Sequence, residues 1–373
     1  MEKILIVNQN SGYLTIDVAN AFAEQYDVVV VMFGLNRKTD RGFNPKIKIQ
    51  KTIKYNRSSF YKRIFTWGIC LVHLLFLLLF KYRNYSVLYY TNPPVSYFAS
   101  LLFPNKFSVV IFDAYPNALK LIGIEESSAI YRFWKAINKA VFRKAIRIIT
   151  LSEGMKKQLA EYVDKQKIRV VPVWPASESF RPIPKEENVF LRKMQLENKF
   201  IVLYSGNMGI GHNMEILIDM AESLTVNNEI HFIFIGEGTK KRKLEDAVNQ
   251  KGLKNVSFFT WQPPDVLPFS LACADLSFVS LEKGVTNVSV PSKTFNYMAV
   301  GSPLLGVGDK GSELELLIQK YDNGKYFNSQ SVAEIAGFIA DLFRNNNKLQ
   351  YYRTNSLRAA KEHTFNLSHE YLF

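Results

Sequence analysis

The chain has 373 residues, 47 % of them apolar, and only two cysteines, Cys70 and Cys273. Such a length and composition imply two domains with sizeable cores, and exclude wholesale disorder, a disulfide framework and a cysteine-based metal site; a reducing compartment fits best. The net charge of +14 is uneven: residues 1–185 hold 28 Lys and Arg against 12 Asp and Glu, whereas residues 186–373 hold 19 against 21. A basic half beside a neutral half points to an anionic partner (lipid headgroups, a lipid diphosphate or nucleic acid) or to a solvated surface that keeps the protein soluble.

The first element, Lys3–Val7, reads as a buried parallel strand and is too short for the apolar region of a signal peptide. A polar turn with Gly12 follows, then a helix over 15–25 and a second strand over 27–33. Residues 64–80, IFTWGICLVHLLFLLLF, carry no formal charge and are flanked by Arg57, Lys62, Arg63, Lys81 and Arg83. The run is at the lower length limit for a membrane span. It admits three readings: a span, a helix buried under a sheet, or such a helix with one face in the membrane interface. The strand 86–90 begins directly after it, which favours a crossover helix over a span and leaves interface contact open. Strands at 108–112, 145–150 and 167–171 alternate with a short helix over 93–102 and a longer one over 130–145.

Pro172, Pro175, Pro182 and Pro184 mark a stiff linker over about 172–190. Beyond it, strands at 199–205, 230–235, 256–259, 276–279 and 304–307 alternate with helices. The expected fold is therefore α/β, with two Rossmann-like doubly wound domains carrying parallel sheets. Their boundaries are placed at 1–174 with a returning C-terminal helix over 362–373, and at 175–361. Ligands of such sheets bind at the carboxyl ends of the strands, and a cleft between two domains is the expected place.

Three stretches carry chemistry. Tyr204-Ser205-Gly206-Asn207-Met208-Gly209-Ile210-Gly211-His212 runs from strand through a glycine turn toward a helix, a geometry that offers backbone N–H groups to phosphate. Ile235-Gly236-Glu237-Gly238 is a second, weaker turn of the same kind. Val290-Pro291-Ser292-Lys293-Thr294-Phe295-Asn296-Tyr297 opens a helix with Pro291 in its first turn, which puts Ser292 and Lys293 at the positive helix end. Each also has a bland reading, as packing glycines or an amphipathic helix capped by Gly301. In the first half, strand 108–112 ends at Asp113, which is either a site carboxylate or an ordinary cap.

With these stretches, LACADLSFV at 271–279 and GSELELLI at 311–318, the sequence resembles the retaining family 4 glycosyltransferases of the GT-B fold that build surface polysaccharides such as O-antigen and capsule. The resemblance covers nearly the whole chain. It implies a nucleotide diphosphate-sugar donor, UDP being favoured, held by Gly206, Asn207, Gly209, His212, Gly236, Gly238, Ser292 and Asn296. It implies catalysis by Lys293 on the diphosphate and by Asp113 near the acceptor and transferred sugar, with Gly12 lining the acceptor side. The acceptor would be a polyprenyl-diphosphate-linked saccharide. The basic half and helix 64–80 would hold the protein peripherally on the inner face of the cytoplasmic membrane.

No cofactor, no metal and no nucleic-acid partner is expected. Two departures stand out. Where many members carry paired glutamates, this chain has Val288 and Asn296, with Glu282 as a nearby substitute. The first donor loop shows Asn207 and His212 at positions that are often Arg and Lys, which leaves Lys293 as the main cation for the diphosphate. A nucleotide-sugar epimerase and a non-enzymatic anionic-polymer-binding protein are the competing readings.

Overall fold

The computed structural model describes residues 1–36, 39–56, 58–209, 213–281, 291–328 and 331–373. The chain divides into two compact units, Met1–Ala176 with Phe365–Phe373, and Ser177–Thr364.

The first unit is built on a parallel sheet. Its strands are β1 (Lys3–Val7), β3 (Val28–Phe33), β5 (Lys48–Lys51), β6 (Ser86–Tyr90), β7 (Phe107–Ile111), β8 (Ile148–Thr150) and β9 (Ile168–Val170). A two-residue pair, β2 (Asn10–Ser11) and β4 (Leu35–Asn36), sits beside it. The order β5-β3-β1-β6-β7-β8-β9 reverses direction between β1 and β6. The helices are α1 (Tyr13–Gln25), α2 (Phe60–Phe80), α3 (Ala129–Lys144) and α4 (Glu153–Leu159). The apolar runs of β1 and β7 are buried along their length, as both faces of a parallel sheet require.

The C-terminal segment, expected as a helix over 362–373, forms a 3-10 helix over the shorter span Phe365–Tyr371. It is fixed to the first unit by several contacts. Tyr371 is buried and meets the Trp174 ring edge-on at 6.1 Å; Arg147 donates to the Leu372 carbonyl at 2.9 Å, and Tyr26 donates to the Phe373 carbonyl.

Helix α2 corrects the reading of a helix buried under the sheet. Only 28 % of its apolar window is buried. Cys70, Leu74, Leu77 and Leu78 face inward, while Tyr61, Phe65, Ile69, Val72, Phe76 and Leu79 form an exposed apolar stripe at helical spacing. A run that is apolar all round gives the sequence no way to tell which face is covered.

The second unit has a six-stranded parallel sheet of β10 (Phe200–Ser205), β11 (Ile230–Ile235), β12 (Val256–Phe259), β13 (Leu276–Ser280), β14 (Leu304–Val307) and β15 (Gly324–Phe327). Its order, β12-β11-β10-β13-β14-β15, is that of a doubly wound dinucleotide-binding sheet, reversing between β10 and β13. Helices α5 (Val189–Met194), α6 (Glu215–Ser223), α7 (Lys241–Gln250), α8 (Leu267–Ala272), α9 (Lys293–Ala299), α10 (Glu313–Tyr321), α11 (Val332–Arg344) and α12 (Asn346–Ala360) complete it. Buried Asp275, just before β13, accepts from the Ile201 amide and from Arg353 at 2.8 Å each and also binds Lys185. It thereby ties the linker, the sheet and α12 together.

Candidate active site

The reversal between β10 and β13 places the carboxyl end of β10 beside the helix that follows β13, and a doubly wound sheet takes its ligand at such a point. Tyr297 joins the two. Its hydroxyl accepts from the Ser205 amide at 2.7 Å and donates to the Ser205 carbonyl at 3.0 Å. Four residues earlier on α9, and so on the same face, Lys293 extends along the turn that follows β10. Its Nζ lies 2.9 Å from where a Cβ of Gly206 would stand, so a side chain at 206 would displace the ammonium from this position.

The residue as a whole is partly exposed, yet the Nζ itself is buried and has no hydrogen-bond partner among the described residues. It sits 4.0 Å from the centroid of the buried Tyr204 ring, a cation–π contact that offsets only part of its desolvation. Burial lowers the Lys293 pKa to about 7.

The glycine turn differs from its sequence reading in one respect. The Gly206 and Met208 amides already donate within the chain, to Ile235 and Glu237 carbonyls at 2.9 and 2.8 Å. Among the described residues, the Asn207 and Gly209 amides have no protein acceptor and are the ones left for a ligand. Asn207 folds over Gly209, its Nδ2 2.6 Å from the position of a Cβ there, and its carbonyl accepts from the Tyr204 hydroxyl at 2.7 Å.

Gly236 and Gly238 are required by the packing of this turn. Their φ values of 137° and 156° exclude most side chains, and a Cβ on either would strike the Gly206 or the Met208 carbonyl oxygen, at 2.1 and 2.3 Å. They are glycines because two backbone loops lock together there.

Six of the sequence-derived donor residues are thus brought together: Gly206, Asn207, Gly209, Gly236, Gly238 and Lys293. Pro291 does not open the helix as expected; it precedes Ser292, the N-cap, whose exposed side chain makes no capping bond. Asn296 is partly exposed on α9. His212 and Glu282, like Val288, lie outside the described residues. Sequence reasoning missed Tyr204 and Tyr297; the four-residue interval between Lys293 and Tyr297 is the signal that pointed to the latter.

The other two predicted residues belong to the first unit. Gly12 is the N-cap of α1, its carbonyl accepting from Thr15 and Ile16 amides. Asp113 is exposed two residues beyond β7, at the carboxyl edge of that sheet. No group of three or more His, Cys, Asp or Glu side chains that could hold a metal occurs among the described residues.

Comparison with known proteins agrees with this geometry. Residues 187–358, nearly the whole second unit, match the family described as glycosyl transferases group 1. The chain is 26 % identical over 84 % of its length to WbjE of Pseudomonas aeruginosa, named as a glycosyltransferase and covered over 81 % of its own length. It is 28 % identical to WcaI of Escherichia coli (strain K12), named for colanic acid biosynthesis, over 54 % of this chain and 50 % of that one.

Among solved structures, Anabaena HepE in complex with UDP and glucose superposes with a TM-score of 0.74 at 14 % identity, over 99 % of this chain and 98 % of that one. WaaG, a glycosyltransferase involved in lipopolysaccharide biosynthesis, superposes at 0.68 and 13 % identity, over 98 % of each chain. A doubly wound unit with a lysine held at its switch point, the match of residues 187–358 to the group 1 glycosyl transferases, the likeness to a relative named as a glycosyltransferase and a fold shared with GT-B structures together identify this protein as a glycosyltransferase.

Proposed function

We propose that the protein is a retaining glycosyltransferase that moves a hexose or N-acetylhexosamine from a UDP-sugar to a lipid-linked saccharide in cell-surface polysaccharide synthesis. The observation that carries the donor side is the buried, unpartnered Lys293 ammonium beside Gly206. A buried cation without a counter-charge is unfavourable unless a ligand supplies one, and a diphosphate is such a ligand. The UDP in the HepE complex and the polysaccharide pathway named for WcaI support the same reading.

In the proposed reaction the bond from the sugar C1 to the diphosphate oxygen breaks, and its electron pair stays on the diphosphate. Lys293 and the Asn207 and Gly209 amides stabilise that charge. The acceptor hydroxyl oxygen bonds to C1 on the same face and yields its proton to the departing phosphate oxygen. Asp113 orients the acceptor or the sugar, and Gly12 lines the acceptor side. No step uses a metal ion or another cofactor. Incubation with a panel of nucleotide-sugars in excess EDTA tests this: release of UDP with retention at C1, read by NMR, is expected. Inversion, or activity that returns only with a divalent cation, would refute the mechanism.

Helix α2 supports the lipid-linked acceptor and the peripheral location proposed here, on the cytoplasmic face of the membrane. Tyr61, Phe65, Val72 and Phe76 are each at least 60 % exposed. The 3-10 turn Ser96–Leu101 packs against both α2 and α3, and Leu102 at its end and Phe133 on α3 are also exposed. Basic residues flank α2 and line α3, so apolar area and positive charge occur together, the two signals that stable interfacial attachment needs. The protein is expected to pellet with phosphatidylglycerol vesicles at low salt. The double variant Phe65→Ser, Phe76→Ser should lose at least about fivefold in partitioning. Equal pelleting of both proteins would remove α2 from the contact.

A further inference from the structure

We propose that Arg63, Trp67 and Gln9, with the rings of Tyr55 and Tyr115, form a subsite in the first unit that binds a sugar phosphate, the phosphorylated end of the acceptor saccharide. The proposal rests on the acceptor reading above and names the residues that would perform it.

Topology puts these residues in one place. The first sheet reverses between β1 and β6, and the loops after those strands meet where the Gln9 amide donates to the Asn92 carbonyl at 2.6 Å. Helix α2 crosses from β5 to β6, so its first turns lie at the carboxyl rim of the sheet, where doubly wound units take ligands. Arg63 and Trp67 are four residues apart and share the inward face with Cys70 and Leu74. Gln9 docks in the same turn, its Nε2 donating to the Thr66 carbonyl at 3.0 Å.

The polar atoms there are buried and unanswered. Gln9 is 0 % exposed, and its Oε1 has no donor among the described residues. Trp67 Nε1 and Arg63 Nε are likewise buried without acceptors among the described residues. Among the described residues no carboxylate lies within ion-pair distance of Arg63. Buried polar atoms are normally satisfied, and an uncompensated guanidinium edge is the least tolerated exception. An acceptor without a donor and a donor without an acceptor, side by side, match saccharide hydroxyls, which supply both. The guanidinium calls for an anion, and its planar fork suits phosphate.

The remaining wall is aromatic. Tyr55 and Trp67 stack at 6.4 Å with planes 12° apart, and Tyr115 meets Trp67 edge-on at 6.3 Å. Tyr115 in turn stacks on Trp134 at 5.0 Å and so backs the wall, and the outer face of the Tyr55–Trp67 stack is the one suited to the C–H face of a sugar ring. Asp113 and Arg63 both act electrostatically on the Tyr115 hydroxyl, which connects this group to the proposed acceptor carboxylate. Helix α2 thus carries an apolar stripe outside and this polar cluster at its inner N-terminal end. A lipid-linked, phosphorylated saccharide needs both on one element.

The test uses the full chain with UDP first titrated to saturation, which separately reports whether the donor reading holds. Glucose 1-phosphate, glucose and inorganic phosphate are then added in turn at millimolar concentrations. The four tryptophan indole N–H signals are followed by NMR, that of Trp67 being assigned with Trp67→Phe. Glucose 1-phosphate is expected to move the Trp67 signal and to bind about tenfold or more tightly than glucose. Arg63→Gln should weaken it by about tenfold while UDP affinity stays the same, and Arg63→Lys should weaken it less. A stationary Trp67 signal overturns the proposal, as does an Arg63→Gln protein that binds glucose 1-phosphate unchanged. Inorganic phosphate moving the Trp67 signal with equal affinity would overturn the saccharide half.

Discussion

Replacing Lys293 by alanine is expected to lower kcat for sugar transfer by about 10²-fold or more, the effect of losing one preorganised group that stabilises developing charge. The size follows from where the ammonium sits. In water a single charge interacts weakly with a departing diphosphate; in a buried site beside Gly206 and over the Tyr204 ring it does not compete with solvent. Part of the contact exists in the bound substrate, so UDP affinity should also fall, by about tenfold. The larger loss belongs to kcat, because the charge on the diphosphate grows as the C1 bond breaks. Lys293→Arg should rescue little: a guanidinium is larger than an ammonium, and the Lys293 Nζ already stands 2.9 Å from the position of a Gly206 Cβ. Transfer by Lys293→Ala at the wild-type rate would end the proposed donor site.

A merely structural lysine predicts the opposite pattern in stability. Burial without a partner makes the ammonium a liability in the empty protein, so Lys293→Met should raise stability by about 1–2 kcal/mol, or about 3–6 °C in Tm, while abolishing transfer. A destabilised and inactive Lys293→Met protein would instead assign the residue to packing.

How much of this site could be read in the sequence differs from residue to residue. The strand–turn–helix pattern around Gly206, and a lysine opening a helix before Tyr-Met-Ala, are local features, and local features survive in a linear text. Their convergence followed from the order of a doubly wound sheet, which alternation of strands and helices already implies. Gly236 and Gly238 were legible as glycines but not in their role. Only the packing of two loops against each other shows that a Cβ there would strike backbone. The same holds for the Gly206 and Met208 amides, whose acceptors come from a turn about thirty residues away in sequence. Arg63 and Trp67 were hidden for another reason. The uncharged run begins after Arg63, and it swallowed Trp67 as one apolar letter among seventeen. The face of α2 on which the two share a turn with Gln9 is set by a hydrogen bond across fifty-seven residues.

UDP affinity should weaken as pH rises above 7, by about tenfold in all, the behaviour expected when binding takes up a proton. In the free protein Lys293 has its pKa lowered to about 7 by burial, so above that pH it is mostly neutral. A bound diphosphate supplies the missing counter-charge and raises the pKa again, so the complex holds the proton that the free protein has lost. The sign is therefore fixed. Affinity is greatest at and below pH 7, and falls as pH rises until it passes the pKa of the complex.

Stability of the empty protein moves the other way. The unfolded chain keeps its lysine protonated to the ordinary value near 10.5, so the folded form gains stability between pH 7 and that value. UDP has finished its own second ionisation below this window, since such groups titrate near pH 6, and so contributes no slope of its own. Calorimetry in buffers of different ionisation enthalpy measures the proton directly. Uptake should be about one half at pH 7, pass through a maximum between about pH 7 and 8.5, and vanish in Lys293→Ala. Uptake of zero in the wild-type protein across that range would mean that the ammonium keeps its charge without a ligand, and the burial argument for its role would fail.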